Sequence, residues 1–171
     1  MIKARIAGVF YLLVFVAGVT ALLVGGRVGM VSGLIAAACY VAVTLLFYGI
    51  FKPVNRSLSL LAAFISLVGI AIGPLSRSFP GLPRISPLVF FGFYCLLIGY
   101  LIFTSTFLPR ILGVLMAFAG LGWLTFLSPP LANRLYPYIL APGIIGEGAL
   151  TLWLLAVGVN VPRWQERATA R

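Results

Sequence analysis

The chain has no histidine, only two acidic residues and only two cysteines in 171 residues, and charged residues make up 8%. Without histidine there is no usual haem ligand, no common zinc site and no imidazole general base. The two acidic residues are Glu147 and Glu166, and only Glu147 lies within an apolar stretch. A lone carboxylate cannot form an acid–base pair with a second one. Cys39 and Cys95 stand far apart, with no C-x-x-C spacing and no neighbouring cation to activate a thiolate. No glycine-rich phosphate loop follows a strand, because no stretch reads as a strand. These absences leave no enzyme constellation. The shortage of charge also excludes a water-soluble globule, in which about a quarter of residues are charged. Disorder is excluded by the opposite property, since 63% of the residues are hydrophobic.

What is present fits a bilayer. Arg5, Arg27, Lys52, Arg56, Arg77, Arg84, Arg110, Arg134 and Arg163 divide the chain into apolar intervals. Each interval is long enough for one crossing by a helix, which needs about 20 residues, and none is long enough for two. The fold expected is all-α: one membrane domain over residues 1–171, with six spans at 6–24, 28–51, 58–76, 87–108, 111–128 and 141–160. A β-barrel requires alternating polar and apolar residues. Runs such as Leu60-Leu61-Ala62-Ala63-Phe64-Ile65 do not alternate.

Local chemistry marks the ends. Gly25 and Gly26 permit a very tight first turn. Pro53 breaks the second helix, and Asn55 or Ser57 supplies a cap for the third. Arg77 to Pro87 holds three prolines and a glycine and reads as an ordered surface loop. Ser128-Pro129-Pro130 closes the fifth span, and Pro142 sits in the first turn of the sixth.

With the N-terminus inside, Lys3, Arg5, Lys52, Arg56, Arg110, Arg163, Arg167 and Arg171 face inward, against Arg27, Arg77, Arg84 and Arg134 outward. Basic residues in short loops favour the cytoplasmic side, so both termini are expected there. The net charge of +10 is then mainly an orientation signal, scattered over the loops rather than gathered into a nucleic-acid footprint.

An ordered series of short stretches carries a resemblance. Arg5-Ile6-Ala7-Gly8-Val9-Phe10-Tyr11 opens the first span, and Phe51-Lys52-Pro53-Val54-Asn55-Arg56 follows the second. Phe90-Phe91-Gly92, Leu108-Pro109-Arg110-Ile111-Leu112-Gly113 and Gly146-Glu147 with Leu152-Trp153-Leu154 come after them. Together they resemble the bacterial membrane-protein family catalogued as domain of unknown function 4386, over nearly the whole chain. The resemblance implies a six-helix membrane fold and supplies no activity. Relatives often place an acidic residue where Tyr40 stands, an arginine where Ser66 stands and a histidine where Tyr94 stands. It therefore implies that only Glu147 remains here of a polar cluster, in a slimmed member that is structural rather than catalytic.

Glu147 is the one ionisable side chain placed inside a span. Ionised and alone it is strongly disfavoured, so it is expected to face the bundle, protonated or paired. Its expected partner is a hydroxyl from the second, third or fourth helix, with Tyr40, Tyr94 and Ser66 as candidates, or an outer arginine such as Arg134. Gly146 and Gly148 are expected to let another helix approach. Small residues four apart line helix stripes at Ala17, Ala21, Gly25, Gly29, Gly33 and Ala37, and again at Gly69 and Gly73 and at Gly113 and Ala117. They serve internal packing, or a groove for a partner helix. Cys39 and Cys95 read as small apolar filler. Trp123, Trp153, Trp164, Tyr136 and Tyr138 read as an interfacial belt, and Tyr40, Tyr94 and Tyr100 as deeper residues whose hydroxyls need partners.

Two functions compete. The first is a non-catalytic accessory subunit or scaffold that binds another membrane protein, a lipid or a pigment, with the cofactor unknown and nucleic acid excluded. The second is a small carrier or channel-like protein with Glu147 as a proton or cation site.

Overall fold

The computed structural model describes residues 2–78 and 86–169. Eight α-helices follow one another: α1 (Ile2–Leu23), α2 (Gly26–Phe51), α3 (Arg56–Ser78), α4 (Pro87–Thr104), α5 (Arg110–Leu124), α6 (Pro129–Leu135), α7 (Ala141–Ala156) and α8 (Val161–Thr169). There is no strand among the described residues. Six segments are long and apolar enough to cross a membrane: α1 to α4, α5 with the 3-10 turn after it, and α7 with the 3-10 turn before it. The all-α membrane fold read from the sequence is the fold found.

The spans form a closed ring. Each packs against its neighbour in the chain, and α7 closes the ring against both α5 and α1. One end of the ring carries the α1–α2 and α5–α7 connections, the end of α3 and the start of α4, and is called the distal end below. The other, the terminal end, carries the α2–α3 and α4–α5 connections and α8. Outward faces stay apolar and exposed, as with Leu12, Val16, Leu45, Phe64 and Leu121, which suits a surface solvated by acyl chains.

Lipid offers no hydrophobic drive for one helix to find another, so close backbone packing must do that work. The glycines show where it happens. A β-carbon on Gly99 would lie 2.7 Å from the Gly113 carbonyl oxygen, and one on Gly120 would lie 2.8 Å from that of Gly92. Thus α4 and α5 touch through two glycine pairs spaced seven residues apart. Gly113 and Ala117 of the expected stripes work inside the bundle at this contact, and Gly69 faces Phe90 of α4.

Several boundaries differ from expectation. The first turn is made by Gly26, with φ +66°. Asn55, one of the two candidate caps, accepts the Leu58 amide at 3.0 Å. The fourth helix ends at Thr104 rather than 108. Ser105 is extended there, its hydroxyl donating to the Ile102 carbonyl at 2.8 Å, and Pro109 keeps the residue before it out of the helical region. Ser128-Pro129-Pro130 does not only end the fifth span; its prolines also open α6, where missing amides cost least. The sixth helix ends at Ala156, with Gly158 at φ +79° donating to the Trp153 carbonyl. The sequence reading did not anticipate α8, which follows. The loop expected from Arg77 to Pro87 lies largely outside the described residues; α3 runs on to Ser78, and Pro87 already belongs to α4. Arg84 and Arg171 also lie outside them.

The terminal end is sealed. Phe47, Ile50, Phe51, Leu101, Ile102 and Leu154 are all almost fully buried there. Phe107 and Leu108, in the loop that ends α4, fold in beneath them. Phe51 stacks on Phe107 with ring centroids 6.1 Å apart. Across this base, Asn160 donates its amide to the Phe107 carbonyl at 3.1 Å, and the Trp164 indole donates to the Ile50 carbonyl at 2.9 Å.

Candidate functional site: a buried carboxyl on the floor of a distal cavity

Three features of the sequence around Pro142 to Glu147 place the carboxyl. Pro142 occupies the first turn of α7. Gly143 leaves room for the Trp123 ring, which occupies the space a side chain would need. Gly146 packs directly on the backbone of Leu115, so α5 and α7 run in contact. The indole of Trp123 can then turn inward, and its N–H donates to Glu147 Oε1 at 2.6 Å.

The second donor comes from α1. Ala4, Ala7 and Gly8 give this helix a small inward face, and Gly8 sits against the Leu155 backbone of α7. Tyr11, one turn further along, is fully buried. Its hydroxyl donates to Glu147 Oε2 at 2.6 Å. Glu147 is itself only 7% exposed. Both carboxyl oxygens therefore carry one hydrogen bond each from neutral donors on two different helices.

This corrects the expected partners. Glu147 does face the bundle interior, but its hydroxyl donor is Tyr11 of the first helix. The sequence reading had looked to the second, third or fourth. Arg134 is exposed on α6 and takes no part. Ser66 pairs with Thr44, the two hydroxyl oxygens 2.7 Å apart, joining α3 to α2. The Thr44 proton goes to the Tyr40 carbonyl at 2.8 Å, so Ser66 is the donor in that pair. Gly146 brings a neighbouring helix close, whereas Gly148 faces open space.

Tyr40 and Tyr94 do gather near the carboxyl, without bonding it. The Tyr40 ring meets Tyr11 edge-on at 5.8 Å and Tyr94 at 6.0 Å. Both hydroxyls are buried and have no hydrogen-bond partner among the described residues. That of Tyr40 lies near Tyr11 and that of Tyr94 near Thr44, short of bonding geometry. Cys95 is fully buried beside the carboxyl and Cys39 is also buried; both are free thiols. Tyr100, expected to be deep, faces outward and is exposed.

Tyr11 and Trp123 were not among the partners expected for Glu147. For Tyr11 the available signal was the helical spacing of Ala4, Ala7, Gly8 and Tyr11. Trp123 had been read as part of the interfacial belt, and so had Trp164, which bonds inward instead. Tyr136 and Tyr138 are exposed at the distal end, as a belt requires.

Above this floor, the distal half of the ring holds a cavity of about 460 Å³. That lies within the range of small-molecule sites, roughly 300–1,000 Å³. All six spans contribute to its lining, among them Gly18 of α1, Ala37 of α2, Gly69 of α3 and Phe91 of α4. Trp123, Ile144 and Glu147 complete the wall on α5 and α7. Leu140 stands near the rim, and Glu147 lies seven residues further along, about 10 Å deeper at 1.5 Å per residue. The wall is almost wholly apolar, and Glu147 is the one charged residue among the described residues that line it. No group of three or more potential metal ligands occurs among the described residues.

Fold and site together define a multi-pass integral membrane protein with an apolar cavity that ends on one carboxyl. Residues 84–158 match the model of a family described as domain of unknown function (DUF4386). The match supports the family resemblance read from the sequence and covers α4 to α7, including Trp123 and Glu147 but not Tyr11 or Tyr40. No curated protein and no solved structure matches the chain.

Proposed function

We propose that this protein is a non-catalytic, membrane-embedded binding module. It holds one small hydrophobic molecule in the distal cavity, with the polar end of that molecule on Glu147 and Tyr40. The observation that carries the reading is the cavity itself: apolar walls from all six spans and a few convergent polar groups at one point. Pockets of this construction bind ligands by apolar contact and orient them by the polar groups. A pigment or a lipid as cargo, or an accessory role beside another membrane protein, is compatible with such a site.

The carrier reading draws on the same carboxyl. Against it, the interior below Glu147 is filled by Phe47, Phe51, Leu101 and Leu154, which favours holding a molecule over passing one. Loss of a substrate-dependent flux in Glu147→Gln would support carriage instead.

The test is extraction from the membrane in mild detergent, followed by native mass spectrometry and organic extraction. One small apolar molecule per chain is expected in the wild type and none in Gly18→Phe, whose new ring enters the cavity. Wild-type protein that carries nothing and binds nothing would overturn the proposal. We place the protein in a bacterial inner membrane with both termini cytoplasmic, which puts the cavity on the outer side. The excess of basic residues near the terminal end supports this. Topology reporters fused after Gly25 and at the C-terminus should report opposite sides.

A further inference from the structure

The groups on the cavity floor select among hydrophobic molecules. Once a cation pairs with it, the carboxyl is ionised and offers about four acceptor positions on its two oxygens. Tyr11 and Trp123 fill one on each oxygen, and the Cys95 thiol lies against the group as well. Both donors are neutral, so they bond the group without balancing a negative charge. No lysine or arginine lines the cavity among the described residues. Tyr40 lines the cavity beside it, and its hydroxyl is buried and has no hydrogen-bond partner among the described residues. Around this point stand the rings of Phe15, Tyr40, Phe91 and Trp123.

We infer that the cavity takes a lipophilic amine, bound as its ammonium form with the nitrogen at Glu147. This rests on the reading of the cavity as a ligand site. An ammonium donates to the remaining acceptor positions of the carboxylate and supplies the charge that a buried carboxylate lacks. Aromatic faces attract the same cation, more strongly where water is excluded. The apolar remainder of the molecule lies along Val14, Gly18, Ala37 and Ile70 toward the distal end. A carboxylic acid of the same length would bring a second negative charge to a site without a cation. An alcohol would bond one oxygen and bring no charge to pair with an ionised carboxyl.

Three probes with one chain length separate these cases: decylamine, decanol and decanoate, each added to the purified full-length protein in mild detergent. Occupancy is read by native mass spectrometry. Decylamine should bind the wild type at least tenfold more tightly than either congener. Glu147→Gln should remove that preference, and Tyr40→Phe should weaken decylamine several-fold. Glu147→Gln is expected to fold, because its carbonyl can accept from Trp123 while its amide donates to the Tyr11 oxygen. If it does not fold, Tyr40→Phe and Gly18→Phe carry the test, since neither removes a hydrogen bond. Equal binding of decylamine and decanol, or a decylamine preference that survives in Glu147→Gln, would overturn the amine assignment and leave the cavity a ligand site. Failure of all three probes to bind the wild type would overturn the binding module as well.

Discussion

The two ends of the bundle are built from the same helices, yet between the spans one is filled by large side chains and the other holds an apolar cavity; the terminal end carries instead a cleft of about 600 Å³ outside the ring, between the α4–α5 loop and the start of α8. Gly8 and Gly18, both on α1, show the difference. A β-carbon on Gly8 would lie 3.0 Å from the Leu155 backbone nitrogen; one on Gly18 would meet nothing within 4 Å. At Gly8 in the terminal half glycine serves contact, and large side chains such as Phe47 and Phe51 fill the interior there. In the distal half the inward positions of α1 and α2 include Gly18 and Ala37, and a cavity remains beside them. Interiors normally fill their space to crystal-like density. A wide apolar space ending on the one buried carboxyl therefore invites a ligand-binding explanation.

The largest effect expected is at the close contacts. Gly146→Leu forces a side chain into the Leu115 backbone, which has nowhere to move without parting α5 from α7. Overpacking of this kind costs about 3 kcal/mol or more when backbone must shift. Loss of monodisperse protein in gel filtration is the expected result, while Gly148→Leu, two residues away in open space, should behave as wild type. Next comes the sealed end. Phe47→Ala removes a fully buried ring that packs on Tyr11 and Phe51, at a cost of about 3–5 kcal/mol. A melting midpoint lowered by many degrees is expected.

Smaller effects test the floor of the cavity. Glu147→Leu leaves the Tyr11 hydroxyl and the Trp123 indole without an acceptor, at a cost of about 1–3 kcal/mol. Glu147→Gln should lie much nearer the wild type, and equal melting points for the two variants would count against the hydrogen-bond geometry. Thr44→Val breaks the pairing with Ser66. Interhelical hydrogen bonds in membranes average about 0.6 kcal/mol, so only a slight change is expected.

The sequence made one half of this picture legible. Uncharged intervals between arginines locate the spans, because a charge in hydrocarbon is costly enough to be kept to the ends. Glu147 stood out for the same reason. Its partners did not, since which face of α1 or α5 turns inward depends on contacts such as Gly8 with Leu155 and Gly146 with Leu115, between residues far apart in the chain. Trp123 has a composition signal for the interface and a geometric reason, the space over Gly143, for turning away from it. The helices α6 and α8 are too short and too polar for span patterning to reveal them. The cavity is hardest to read, because a glycine that makes contact and one that leaves room look alike in a sequence.

That ambiguity makes one pair of variants decisive. Gly8→Phe and Gly18→Phe place the same side chain on the same helix, three turns apart. With each purified in the same detergent, the thermal midpoint and the occupancy by decylamine are measured together. Gly8→Phe is expected to be strongly destabilised. Gly18→Phe is expected to melt with the wild type and to bind no decylamine. A Gly18→Phe protein as destabilised as Gly8→Phe, or one that binds decylamine as the wild type does, would contradict the distal cavity as the binding site.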